Sequence, residues 1–181
     1  MRVIAGSARR LQLSTPRGLK TRPTQDRVKE TLFNMLQNDI EGSYFADLFA
    51  GSGQMGIEAL SRGARTAFFV DHEREALACI RENLIRCHLD GKARVIASDV
   101  SSALAVWDRR IVPNIVFMDP PYGQDLERPV LMQLKEILDS RALVILESSL
   151  DCDLSYIEPC GYRIDRVKRY KTNQHIFLSL E

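Results

Sequence analysis

Tyr44-Phe45-Ala46-Asp47-Leu48-Phe49-Ala50-Gly51-Ser52-Gly53-Gln54-Met55-Gly56 carries three local signals in succession. Residues 44–50 are apolar apart from Asp47 and read as a short buried strand. Gly51, Gly53 and Gly56 keep the spacing G-x-G-x-x-G, and Met55 to Arg62, stopped by Gly63, reads as a helix. A strand, a glycine loop and a helix in that order let the backbone approach a ligand closely and aim the free N–H groups of the helix start at it. The next strand, Thr66-Ala67-Phe68-Phe69-Val70, should end on an acidic residue placed to accept from ribose hydroxyls. Asp71 stands there, about 20 residues on. The glycine pattern alone fits a nicotinamide dinucleotide as well as S-adenosylmethionine. Asp47, before Gly51 at the strand tip, favours the second, because it suits an ammonium group.

Outward from this unit, apolar runs and helical periodicities alternate. Strands are expected at 44–49, 66–70, 93–97, 114–118 and 142–147, with helices at 55–62, 73–87, 100–107 and 128–138. Such alternation predicts an α/β fold: a doubly wound, mostly parallel sheet covered on both faces. Residues 162–170 and 174–180 have no helix between them and read as an antiparallel hairpin on the sheet edge, making the last strand antiparallel. Before the sheet, residues 2–6 and 10–13 read as two short strands of a hairpin, and Pro16-Arg17-Gly18 as a loop. Thr24 is placed to cap a helix in which Val28, Leu32, Met35 and Leu36 recur at helical spacing. The chain thus divides into an N-terminal extension, 1–42, and a sheet domain, 43–181.

A second motif follows the apolar run Asn114-Ile115-Val116-Phe117-Met118. Asp119-Pro120-Pro121-Tyr122 sits where a buried strand empties into a stiff loop. Consecutive prolines fix φ and hold the preceding residue extended, which sets the angle of the loop carbonyl. An exocyclic amine on a nucleobase is a poor nucleophile, since its lone pair is delocalised into the ring. Asp119 and the Pro120 carbonyl would serve as acceptors that draw the nitrogen toward a tetrahedral shape, while the Tyr122 ring offers a face for stacking. The plainer alternative is a strand-ending turn, because Asp and Pro are ordinary turn residues. Ligands of open α/β sheets bind beyond the carboxyl ends of the strands, and Gly51–Gly53, Asp71, Asp99 and Asp119–Tyr122 all fall on that rim. Asp99 also suits an N-cap for the segment starting at Val100. Glu147, ending Val144-Ile145-Leu146, reaches the same rim and is assigned no role.

Asp47-Leu48-Phe49-Ala50-Gly51-Ser52-Gly53 together with Asp119-Pro120-Pro121-Tyr122 resembles the D-x-F-x-G-x-G and [DNS]-P-P-[YFW] pair of class I methyltransferases acting on exocyclic amino groups. Arg22-Pro23-Thr24-Gln25-Asp26-Arg27-Val28-Lys29-Glu30-Thr31-Leu32-Phe33-Asn34, with residues 2–6 before it and 56–64 after it, narrows the likeness. It resembles the bacterial RsmD-type small-subunit (16S) rRNA guanine-N2 methyltransferases from residue 2 to the end of the chain. The resemblance implies the class I methyltransferase architecture, S-adenosylmethionine as cofactor with S-adenosylhomocysteine as product, no metal, and 16S rRNA or the small subunit as partner without an obligate protein partner. It implies cofactor contacts from Asp47, Phe49, Gly51, Ser52, Gly53, Asp71 and Asp99, the last to the adenine amino group. Asp119, Pro120, Pro121 and Tyr122 become the catalytic segment, and Arg9, Arg10, Arg17, Lys20, Arg22, Thr24 and Arg27 the RNA contacts. D-P-P-Y recurs in adenine-N6 methyltransferases of DNA or RNA, which remain the alternative. Tyr170-Lys171-Thr172-Asn173-Gln174-His175 lacks the glycine expected before the Thr in many relatives, and no function is carried over to that loop.

Composition agrees with one enzyme domain: 181 residues with 45% apolar content supply a single large core. Cys79, Cys87, Cys152 and Cys160 form no C-x-x-C pair, so neither a zinc site nor a disulfide framework is indicated. No stretch approaches the ~20 apolar residues of a membrane span, and the start lacks a signal-peptide core, so a cytoplasmic location is expected. The net charge of +1 hides an asymmetry. Residues 1–30 carry eight basic against two acidic side chains and residues 161–181 five against two, leaving 12 basic and 20 acidic in the body. Basic termini on an acidic body suit ends that grip phosphate and a body that holds a cationic ligand. Solvated tails are the alternative.

Overall fold

A computed structural model describes residues 1–16 and 23–181; Arg17, Lys20 and Arg22 lie outside the described residues, as does the Thr24 side chain. The chain runs α1 (Pro23–Met35), β1 (Tyr44–Leu48), α2 (Gln54–Ser61), β2 (Thr66–Asp71), α3 (Arg74–Arg86), β3 (Ala93–Ala97), α4 (Val100–Ala105), β4 (Ile115–Met118), α5 (Glu127–Lys135), β5 (Leu143–Ser148), β6 (Tyr162–Arg169) and β7 (Gln174–Leu180). The strands form one sheet in the order β3-β2-β1-β4-β5-β7-β6. β1 to β5 are parallel, whereas β7 runs antiparallel to both β5 and β6, so the last strand is inserted between β5 and the edge.

Period-two alternation sends successive side chains of each strand to opposite faces. Phe45, Phe69, Phe117, Ile145 and Phe177 face one core, closed by Leu32 and Phe33 of α1 and Leu36 just after it, Ile57 and Leu60 of α2, and Ile80 and Leu84 of α3. Their neighbours Ala46, Phe68, Val116, Leu146 and Ile176 face a second core with Leu104, Trp107, Val130, Leu131 and Leu134. Both faces are therefore covered, which is why these strands read as unbroken apolar runs. Each large side chain so buried contributes roughly 1.5–3 kcal/mol. The third glycine of the loop motif serves this packing: a Cβ on Gly56 would lie 2.3 Å from the Phe69 ring. This seven-stranded arrangement is the class I methyltransferase architecture. Among the described residues no helix is long and apolar enough to cross a membrane.

The start of the chain folds back on itself as a hairpin, but without regular strands. Val3 N–H donates to the Leu11 carbonyl at 3.0 Å, the Val3 carbonyl accepts from Arg10 N–H at 2.9 Å, and a single antiparallel bridge joins Arg2 and Gln12. Gly6 and Arg10 take φ of 83° and 72°, which breaks the pleat. The N–H groups of Ile4 and Ala5 go instead to the Glu58 carboxylate, at 2.8 and 3.0 Å. Gly6 passes so close to α2 that a Cβ would stand 1.8 Å from the Ser61 carbonyl oxygen. α1 begins at Pro23, a residue pre-set for the first helical position. Thr24 therefore lies inside the first turn and is not its cap. Arg27 is exposed as expected, but Lys29, counted among the basic residues of the terminus, is only 2% exposed. Its Nζ donates to the Arg2 carbonyl at 2.7 Å and lies 3.5 Å from Glu58, so it is not free to meet phosphate.

Candidate active site

The sheet order reverses beside β1: the chain moves outward through β2 and β3, then returns to place β4 on the other flank. Crevices at such reversals, beyond the carboxyl ends of the strands, hold ligands in open α/β folds. Here the glycine loop follows β1 and the proline loop follows β4. Leu48 pairs with both Val70 and Met118, and Met118 pairs with Leu146. The next residues, Phe49, Asp71, Asp119 and Glu147, consequently fall in one line across the rim.

Two carboxylates shape the glycine loop from below. Asp71 accepts the Gly51 N–H at 2.8 Å with one oxygen and the Glu73 N–H at 2.9 Å with the other. Asp47, 2% exposed, accepts the Gly56 N–H at 2.9 Å. Burial raises the Asp47 pKa to about 8; the Gly56 hydrogen bond opposes the rise and the Asp71 charge adds to it. Phe49, Gly51 and Gly53 all have positive φ, so the loop turns back on itself, and a Cβ on Gly51 would meet nothing within 4 Å. The Phe49 ring packs, partly buried, against the second core. Ser52 is buried, and its carbonyl accepts from the Asn83 side chain at 3.0 Å. Sequence reasoning passed over Asn83, which also binds Ser14 N–H and carbonyl at 2.8 and 2.9 Å and thereby ties the start of the chain to the loop.

On the β4 side, Pro120 is buried, Asp119 and Pro121 are exposed, and the Tyr122 residue keeps 49% of its surface open. A Tyr122 ring sealed in the interior would have left no stacking face; this one is presented to solvent. Loss of hydration within the rim raises the Asp119 pKa well above the ordinary carboxylate value, with the Glu147 and Asp47 charges adding to the effect. The Tyr122 hydroxyl is pushed upward by partial burial and then by Glu147 and Asp119.

Asp99 stays on this rim, two residues beyond Ala97, the partner of Asp71, whereas the N-terminal arginines lie elsewhere. Asp99 accepts the Ser102 N–H at 2.9 Å and caps α4, the second of its two readings. Arg9 and Arg10 are exposed, but the turn that carries them docks on Ser61, the last residue of α2, where Ser61 Oγ accepts the Ala8 N–H at 3.0 Å. An eight-residue helix is roughly 12 Å long, and that distance separates the turn from the glycine loop at the other end of α2.

The sequence model of the family described as Conserved hypothetical protein 95 matches residues 1–178. The chain belongs to that family. The Escherichia coli K12 protein named Ribosomal RNA small subunit methyltransferase D is 36% identical over 170 residues, covering 93% of this chain and 84% of its own length. Its namesake from Haemophilus influenzae is 36% identical over 157 residues, covering 83% and 80%. The solved structure of the Escherichia coli protein yhhF is similar at a TM-score of 0.84 and 34% identity, covering 100% of this chain and 98% of that one. The chain is a methyltransferase, and its glycine loop and proline loop adjoin on one rim. Asp47 and Asp119 share that rim with an exposed Tyr122.

Proposed function

We propose that this protein transfers a methyl group from S-adenosylmethionine to the N2 amino group of a guanine in 16S ribosomal RNA, within a free or partly assembled small subunit. The observation that carries the proposal is the line of Asp71, Asp119 and Glu147 beside the glycine loop, with Tyr122 open to solvent next to it. The names of the relatives that match most of the chain support the RNA class.

The residues present fit the methyl donor. Asp47 is a nearly fully buried carboxylate whose charge lacks a cationic partner among the described side chains, and it suits an ammonium group. Asp71, the N–H groups of the loop and the open space above Gly51 suit the ribose and its neighbours. When bound, the donor supplies an already activated methyl group on a sulfonium, so no covalent enzyme intermediate is required. Asp119 and the Pro120 carbonyl accept from the guanine amine and stabilise the positive charge that grows on its nitrogen as it attacks. Tyr122 holds the base by stacking, at a position reached only by a nucleotide turned out of its helix, which costs a few kcal/mol. The N-terminal extension, residues 1–42, offsets that cost through phosphate contacts from Arg9, Arg10, Arg27 and the undescribed Arg17, Lys20 and Arg22. The distance of the turn carrying Arg9 and Arg10 from the glycine loop suits a duplex gripped away from the extruded base.

Incubation with labelled donor and small subunits from cells lacking the enzyme, followed by mass spectrometry of nucleosides, tests this reading. N2-methylguanosine is expected. N6-methyladenosine, or no transfer to RNA, would refute it.

A further inference from the structure

The loop of residues 170–175, which the sequence reading left without a role, converges on Glu147. Glu147 pairs with His175 across β5 and β7, one step beyond the pairs that join Met118 to Leu146 and Leu146 to Ile176. Asp119, Glu147 and His175 therefore stand side by side. Phe117, Ile145 and Phe177, two residues away on the same strands, all face the first core, so by alternation the three side chains point to the side of α2 and the glycine loop.

The Glu147 carboxylate is held at both oxygens. Asn173 Nδ2 donates to Oε1 at 2.6 Å, and His175 Nε2 lies 3.0 Å from Oε2. The buried His175 ring is wedged edge-on between Phe117 and Tyr170, at 5.8 and 5.0 Å between centroids. The Tyr170 hydroxyl lies 3.4 Å from the other ring nitrogen, Nδ1. These partners suit a ring whose Nε2–H donates to Glu147 while Nδ1 faces the Tyr170 hydroxyl. Gln174 clamps the loop to the end of β5 through Ser148 Oγ at 3.3 Å and the Ser149 carbonyl at 2.9 Å. Asn173 and His175 thus fix both oxygens of the carboxyl group, yet its side chain keeps 20% of its surface open. Its charge reaches both Asp119 and Tyr122.

We propose that Glu147 reads the ring nitrogen next to the target amine, accepting guanine N1–H while Asp119 and the Pro120 carbonyl accept from the N2 amine, with Asn173 and His175 as its positioning residues. The proposal rests on the guanine reading above and deepens it. Guanine presents N1–H and the N2 amine as adjacent donors. Adenine sets an N1 lone pair beside its N6 amine, so a second carboxylate there faces a lone pair where guanine offers a donor. Two carboxylates in a row match the first edge and reject the second.

The test uses small-subunit RNA in which the methylated guanine, once located, is replaced by 2-aminopurine, which keeps the N2 amine but has a lone pair at N1. The guanine to 2-aminopurine ratio of kcat/KM is compared between the wild-type protein and Glu147→Gln, whose amide can donate to that lone pair. The intrinsic reactivities of the two amines cancel in this comparison, so a change in the ratio reports Glu147. The ratio should fall by about 10- to 100-fold in Glu147→Gln, the usual scale for a hydrogen bond to a charged group. Asn173→Ala, which frees one carboxylate oxygen, should lower it partway with little effect on melting, and serves if Glu147→Gln does not fold. Equal losses on both substrates, leaving the ratio unchanged in both variants, would make Glu147 merely structural and overturn the proposal. Failure of the wild-type protein to methylate guanine at all would instead strike the proposed function.

Discussion

Replacing Asp47 by Asn should make the protein more stable in alkaline buffer while weakening its hold on the methyl donor. The carboxyl titrates near 8 in the folded chain against an ordinary 3.8, mainly because burial strips water from the charged form. A raised folded pKa contributes stability that is full below the unfolded value and is lost as pH rises through the folded one. The native protein should therefore weaken progressively from about pH 4 to about pH 8. A displacement of about four units corresponds to roughly 6 kcal/mol at full ionisation. Asn keeps an acceptor for the Gly56 N–H but buries an amide donor with no partner, at about 1–3 kcal/mol. The net expectation is a gain of about 3 kcal/mol or more at pH 9, little difference near pH 5–6, and a loss at lower pH. Urea unfolding of both proteins from pH 4.5 to pH 9 measures this, and calorimetry with S-adenosylhomocysteine should show the weakened binding. Asp119 shifts in the same direction, so the variant should retain part of the wild-type slope. A constant gap between the two urea midpoints across that range would refute the reasoning, since Asp47 would then hold no suppressed charge.

Asp119→Ala should abolish methyl transfer while leaving S-adenosylhomocysteine affinity nearly unchanged; loss of both by calorimetry would place Asp119 in the cofactor pocket or the fold. Glu58→Ala removes the acceptor of Ile4 and Ala5 and leaves Lys29 buried without its anion. Removing one partner of a buried pair costs about 3–5 kcal/mol, readable as a lower urea midpoint. Gly56→Ala should cost about 1–3 kcal/mol, because the new methyl must displace the Phe69 ring; an unchanged melting temperature would mean that the ring moves freely. Replacing Arg9 and Arg10 by Ala should flatten the salt dependence of RNA binding, and an unaltered slope would remove them from the phosphate grip.

Much of this architecture was legible in the sequence because the relevant signals are local. Strand, glycine loop and helix follow one another without interruption from Tyr44 to Gly56, and each expected strand and helix of the sheet domain appears with its ends moved by at most three residues. What escaped depends on partners distant in the chain. Lys29 counts as a surface charge until Glu58 is seen beneath it. Residues 2–6 read as a strand, yet the N–H groups of Ile4 and Ala5 are taken by a helix carboxylate. Glu147 was visible at the rim, but its importance comes from Asn173 and His175, whose approach requires β7 to insert beside β5. Asp99 carried two readings because a cap and a ligand contact ask for the same residue, and three-dimensional placement decides only the cap.

The fastening of the first residues to Glu58, Ser61 and Asn83 also orders the protein's assembly in time. Ile4 meets its acceptor 54 positions downstream and Ser14 meets Asn83 across 69. A chain leaving the ribosome amino end first must expose this leading strap until α2 and α3 have emerged. Closing such long loops carries an entropic cost, so the strap settles after the sheet has begun to form. The part proposed to hold RNA would thus be among the last to take its final place.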